Sequence, residues 1–211
     1  MKRLLVATTI FITIAIAALF PALKPVEASG SRQPAAQAET FQDDSAARDY
    51  CVSSGGELDW RQPYFNTNGP EQDWLRLAGS RAFCKFTSQD DGSRIHVLAS
   101  TLNTTKPSLA ALAYYAEVQL GTCNGNPASC YCTLLGGSDS FGGINAAGGG
   151  WVQKSDTVDT VLEACIFPDM SSIDSWGLAY HSVGIIRGAD LSTILRYPNP
   201  YASKKQSKKH K

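Results

Sequence analysis

The chain has 211 residues, 19 Lys and Arg against 19 Asp and Glu, and an apolar fraction of 43%. This is the make-up of a globular protein, one ordinary domain or two small ones, and it excludes a disordered or fibrous chain. The balance hides an asymmetry: residues 29–203 carry 11 Lys and Arg against 18 Asp and Glu, whereas residues 204–211 hold five lysines and one His.

Lys2 and Arg3 precede an apolar run over residues 4–20, closed by Pro21 and Lys24. Val26-Glu27-Ala28 then offers small residues for cleavage before Ser29. The pattern predicts a secretory signal peptide over residues 1–28. The alternative is an uncleaved N-terminal membrane anchor, because the run is nearly long enough to span a bilayer. Export implies a secreted protein, periplasmic or extracellular. Residues 29–48 are rich in Ala, Gln, Ser, Asp and Glu without periodicity and read as a flexible spacer.

A first unit is expected over residues 49–121. Tyr50-Cys51-Val52 reads as a strand start and Gly55-Gly56 as a turn. Glu57-Leu58-Asp59-Trp60 alternates polar and apolar, as a half-buried strand does. Residues 61–73 are rich in Pro, Asn and Gly and read as a loop. Residues 74–77, 81–87 and 94–98 are strand candidates, the last two joined by a turn at Asp90-Asp91-Gly92-Ser93. A helix is predicted from Pro107, capped by Thr105 or Ser108, with Leu109, Leu112, Ala113, Ala116 and Leu120 on one face and Gly121 as its stop.

A second unit is expected over residues 122–200, beginning at Tyr131-Cys132. Residues 136–150 form a Gly-rich loop, and Trp151-Val152, residues 161–167 and residues 173–180 read as strands. Asp190 is placed to cap a helix over residues 191–197, stopped by Pro198. Residues 201–211 read as a basic disordered tail, able to contact an anionic surface.

Tyr50-Cys51, Gly55-Gly56 and Cys84 recur as Tyr131-Cys132, Gly136-Gly137 and Cys165 at an offset of 81. Leu109, Leu112 and Tyr115 recur as Leu191, Ile194 and Tyr197 at an offset of 82. This predicts an α+β fold of two homologous units, each an antiparallel meander closed by a disulfide and followed by a helix. An even set of six cysteines in an exported chain reads as disulfides. The repeat pairs Cys51 with Cys84 and Cys132 with Cys165, leaving Cys123 with Cys130.

Asn126-Pro127-Ala128-Ser129-Cys130-Tyr131-Cys132, then Gly136-Gly137, Cys165-Ile166-Phe167-Pro168-Asp169-Met170-Ser171 and Asp174-Ser175-Trp176 resemble a small exported bacterial domain of unknown function that carries the label haemolysin. The resemblance covers about 55 residues of the second unit. It implies export and, through the label, membrane activity. The chain departs from that pattern at Met170, where the family has Gly, and lacks the final family Cys after the Trp.

His181, near Asp174 and Ser175, is the residue that a general base would need, and His96 has the same standing. No Gly-x-Ser-x-Gly elbow, phosphate loop or set of His and Cys at metal-ligand spacing accompanies them, so no cofactor and no metal are expected. Aromatics beside the long loops suit stacking on a ligand: Trp60, Tyr64 and Phe65 at the first loop, Trp151 at the second, and Trp176 and Tyr180 downstream. No basic body favours nucleic acid. Asn103-Thr104-Thr105 is a glycosylation sequon. The reading is an exported, non-enzymatic module that binds a cell-envelope or extracellular ligand. The alternatives are an exported hydrolase using His181 and a membrane-active protein.

Overall fold

The computed structural model describes residues 45–77, 79–141 and 145–202. The predicted signal segment, most of the spacer and the lysine-rich tail lie outside them. The fold is α+β. Helix α1 (Ser45–Ser53) leads into strands β1 (Glu57–Phe65), β2 (Leu75–Arg76), β3 (Arg81–Thr87) and β4 (Arg94–Leu98). Helices α2 (Ala99–Asn103), α3 (Leu109–Ala116) and α4 (Pro127–Leu134) follow. Strands β5 (Gly149–Val152), β6 (Val161–Leu162), β7 (Ala164–Ile166) and β8 (Ser172–Asp174) precede helix α5 (Ser175–His181).

The strands share one antiparallel sheet in the order β6-β5-β1-β3-β4-β8-β7, with β2 also on β1. Two separate meanders were expected. Instead β5 and β8, from the second half of the chain, pair with β1 and β4 of the first. The register sets Cys84, Val97, Ile173 and Cys165 in one row across four strands. Side chains alternate between the faces of a strand. That row therefore shares one face with Phe86 and Ile95, and this face carries the larger core, with Leu102, Tyr114, Tyr115, Leu178 and Leu191.

Each end of the row is stapled to a helix, Cys84 to Cys51 of α1 and Cys165 to Cys132 of α4. The third disulfide joins Cys123 and Cys130. These are the pairs given by the offset. Glycine is required beside both long staples. A Cβ at Gly56 would overlap Cys84 Sγ, and one at Gly137 would overlap Cys165 Sγ.

The structure corrects several local expectations. Tyr50-Cys51, expected as a strand start, is helical, and so is its counterpart Tyr131-Cys132. Ala47 and Cys51, one turn apart, are the buried stripe of α1. In α4, Asn126 caps the helix by accepting from Ala128 N at 2.9 Å, and Pro127 follows at the first turn. β1 runs on to Phe65, through a segment expected to be loop. The helix expected to reach Leu120 stops at Ala116, where Glu117 turns left-handed at φ 47°. Residues 173–180 start as a strand but become α5, because Asp174 caps the amides of Trp176 and Gly177. The helix expected over residues 191–197 is a single 3-10 turn, Leu191–Thr193.

Candidate functional site

The second face of the sheet holds a small apolar cluster of Phe83, Leu98, Trp151, Leu162 and Ala164. Beside it lies a set of buried charges. Asp59 and Arg61 are two apart on β1 and so share a face. Arg61 is fully buried. Its Nε donates to Asp59 Oδ2 at 2.5 Å and its Nη2 to Asp156 Oδ2 at 3.0 Å. Its Nη1 donates to the carbonyls of Trp151 and Asp159 at 3.2 and 2.5 Å. Arg94 Nη1 bridges Asp156 and Asp159, at 3.1 Å from each. The β5–β6 connection, which carries both aspartates, is thereby tied down over the sheet.

His96, on β4, is wholly buried between two acids. Its Nε2 is 3.2 Å from Asp59 Oδ2, and its Nδ1 is 3.7 Å from Asp174 Oδ2. Burial opposes a charge on the ring, but Asp174 and Asp59 outweigh it and raise the His96 pKa above the usual value. Burial likewise works against ionisation of Asp59, and the hydrogen bond from His96 and the charge of Arg61 reverse this, so its pKa is lowered. For Asp156 the burial penalty is overcome by the amides of Asp159 and Val158 and by Arg61 and Arg94, which take its pKa to about 2.

Asp59, His96 and Asp156 offer ligand atoms within 4.8 Å of one another, the spacing of a metal site. The Arg61 guanidinium, bonded to Asp59 and Asp156 and 3.5 Å from His96 Nε2, takes the cation's place. A metal ion would have to displace a fully buried arginine, so the residues present do not fit one.

A cleft of about 340 Å³ opens next to this cluster. Its polar walls are Asn126, Asp159, Glu163, Asp174 and Arg187, with Trp176 as the aromatic one, and Val161 and Leu162 supply aliphatic surface. Asp174 belongs to both places, since it faces His96 and caps α5. Asn126 does two jobs as well: its Oδ1 caps α4 and its Nδ2 donates to Glu163 Oε2 at 2.9 Å. The Trp176 indole lines the same wall as a second neutral polar group near Glu163. Burial first, then the charges of Asp139 and Asp174, push the Glu163 carboxyl up against those two neutral donors. Trp176 leans on Tyr180 with ring centroids 5.9 Å apart, and Arg187 lies over Tyr180 at 5.2 Å.

The residues singled out in the sequence fall in different places. Trp176 and Asp174 line the cleft, and Tyr180 packs against Trp176. His181 does not join them. It ends α5, whereas Asp174 begins it, and its ring stacks on Tyr114 at 3.7 Å. The acid expected beside His181 serves His96 instead. Trp151 is not a surface platform: it is buried between Phe83 and Phe141, at 5.3 and 5.7 Å. Tyr64 packs edge-on against Trp74, Phe65 pairs with Leu75 and Gly149, and Trp60 is exposed on β1. Sequence reasoning missed Asp59, Arg61, Asp156, Asn126, Glu163 and Arg187. An unread signal existed for Asn126, whose Asn-Pro pair is a helix start.

Comparison of the chain with protein-family models, with curated proteins and with solved structures finds no match.

Proposed function

We propose that the protein is an exported, non-enzymatic binding module. It takes a cell-envelope or extracellular ligand into the cleft walled by Trp176, Glu163 and Asn126. Three disulfides fit an oxidising compartment, and no helix among the described residues is long and apolar enough to cross a membrane. In this reading residues 1–28 are a signal peptide, and the two helix-to-strand staples descend from one duplicated unit.

The observation that carries the proposal is the contrast between the buried cluster and the cleft. His96 has both ring nitrogens turned to carboxylates and lies under the sheet face, so it is a structural residue with no open side for a substrate. The cleft, by contrast, joins a partly exposed indole to an amide, carboxylates and a guanidinium, the mixture that ligand sites use. Binding of the mature protein to isolated cell-wall and extracellular fractions tests this. Trp176→Ala should lose binding with the circular dichroism unchanged; equal binding by the variant would remove the cleft from the reading.

A second reading has one observation behind it. Glu163, its carboxyl pushed up, shares the cleft with Asp174, as a proton-donating acid shares a site with a second carboxylate. A hydrolase of this kind would rest on Glu163 and not on His181. A screen of glycosidic and ester substrates with wild type and Glu163→Gln decides, and no turnover by the wild type ends it.

A further inference from the structure

The geometry points to a specific ligand class for this cleft: a peptide that presents a lysine-type primary ammonium next to apolar side chains. The inference rests on the binding-module reading and deepens it.

Charge accounting among the lining residues gives the first argument. Three carboxylates face one guanidinium. Asp159 already holds Arg94, and Asp174 is turned to two helix amides and to His96. Arg187 is engaged with the Arg94 carbonyl at 3.2 Å and with the Tyr180 ring. Glu163 is different. Its hydrogen-bond partner is the Asn126 amide and the Trp176 indole lies near it, both neutral, and among the described residues no cation lies within ion-pair distance of it. It is half-buried, and the negative charges nearest to it, Asp139 and Asp174, add to the deficit. A half-buried carboxylate without a cation is costly, and an incoming ammonium removes that cost. The indole beside it adds attraction for a cation, and the aliphatic wall of Val161 and Leu162 suits a methylene stem.

The rim gives the second argument. The segment from Tyr180 to Arg187 starts at a ring that leans on Trp176 of the cleft and ends at Arg187 in the cleft wall. Between them Val183, Ile185 and Ile186 are 61%, 49% and 42% exposed. The segment is held in shape by Ile185 N donating to Tyr180 O at 3.0 Å and Gly184 N to His181 O at 3.0 Å. Three exposed aliphatics on the segment that leads into the cleft wall at Arg187 favour a peptide with apolar neighbours over an amino sugar, whose outer contacts would be hydroxyls.

The test is calorimetric titration of the full mature chain with Ac-Leu-Lys-Leu-NH2, its Nζ-acetylated form, and glucosamine. The free-lysine peptide should bind. Acetylation should abolish binding, Glu163→Gln should weaken it tenfold or more, and Ile186→Ser should weaken it several-fold. Glu163→Gln keeps size and an oxygen to accept from Asn126 while removing the charge, and an unchanged melting temperature verifies its fold. Equal binding of free and acetylated peptides, or no effect of Glu163→Gln, overturns the ammonium reading. Binding of glucosamine alone overturns the peptide in favour of a saccharide. If none of these probes binds while Trp176→Ala still abolishes binding to envelope fractions, the module reading stands and this ligand class falls.

Discussion

Asp174 faces His96 across the β4–β8 pairing, its Oδ2 3.7 Å from Nδ1, while Asp59 holds the other ring nitrogen at 3.2 Å. The two acids raise the His96 pKa against its burial. A group whose pKa is higher in the folded state stabilises below its unfolded value, about 6.5, and that stability is lost as pH rises through the folded value. Asp59 and Asp156 are shifted the other way, so their contribution is present above about 3.9 and lost as pH falls. Stability in urea should therefore be greatest between about pH 4 and 6.5 and decline on both sides. His96→Gln should flatten the alkaline limb and shrink the acid limb to the share of Asp156, because His96 also holds the Asp59 pKa down. An alkaline limb that persists in the variant would assign it to another group.

Arg61 is the centre of the same cluster, and its removal should be severe. Arg61→Met leaves Asp59 and Asp156 without their main buried cation, a loss of about 3–5 kcal/mol. Asp59→Asn combined with Arg61→Met should recover part of this, because one uncompensated charge is gone. Denaturant unfolding of the two variants measures both. A loss below about 1 kcal/mol for Arg61→Met would show that water reaches the cluster.

Much of the scaffold was legible in the sequence, and most of the site was not. The alternation over residues 81–87 and 94–98 announced β3 and β4, and the spacing of Tyr-Cys and Gly-Gly gave the long disulfides. The helix around Cys51 was misread because Tyr50 and Val52 favour strands locally, while the apolar stripe of α1 shows only once the sheet is there to receive it. The charge cluster draws Asp59, His96 and Asp174 from three strands and Asp156 from a connection. Nothing local links residues so far apart in the chain. The strand was read only as far as Trp60, so Arg61 fell in the expected loop and its place on the Asp59 face of β1 did not show. His181 drew attention because Asp174 is close in sequence, yet a helix of seven residues keeps them at opposite ends.

The three disulfides should respond differently to a reductant. Cys51, Cys84, Cys132 and Cys165 are wholly buried, whereas Cys123 and Cys130 are partly exposed. Dithiothreitol under native conditions should open Cys123–Cys130 first, as read by alkylation and mass spectrometry. Deleting a pair by Ala substitution should rank the same way. The spans of 33 residues should cost about 4 kcal/mol each and the span of 7 about 2.5 kcal/mol in the chain-entropy treatment. Gly56→Ala and Gly137→Ala, which crowd the buried sulfurs, should reduce the yield of oxidised protein. A full yield from both variants would mean that the helices shift without cost.

Met170 offers a way to stabilise the chain. It sits at φ 64° in the turn between β7 and β8, where Asp169 Oδ1 accepts from Ser171 N at 3.1 Å. The turn between β3 and β4 has the same construction. Asp91 Oδ1 accepts from Ser93 N at 2.9 Å, and the residue between them is Gly92 at φ 69°. The left-handed region costs a residue with a Cβ about 1–2 kcal/mol, and glycine nothing. The Met170 side chain is 61% exposed, so little packing is lost with it. Against this stands the extra freedom of glycine in the unfolded chain, about 0.4–1 kcal/mol. Met170→Gly should therefore raise stability by about 0.5 kcal/mol, a gain of about 1–2 °C in melting temperature for a chain of this size. Gly92→Met, the reciprocal change, should lower it. Parallel thermal melts of the two variants check the sign, and a lower melting temperature for Met170→Gly would show that the Met170 side chain contributes more by contact than its conformation costs.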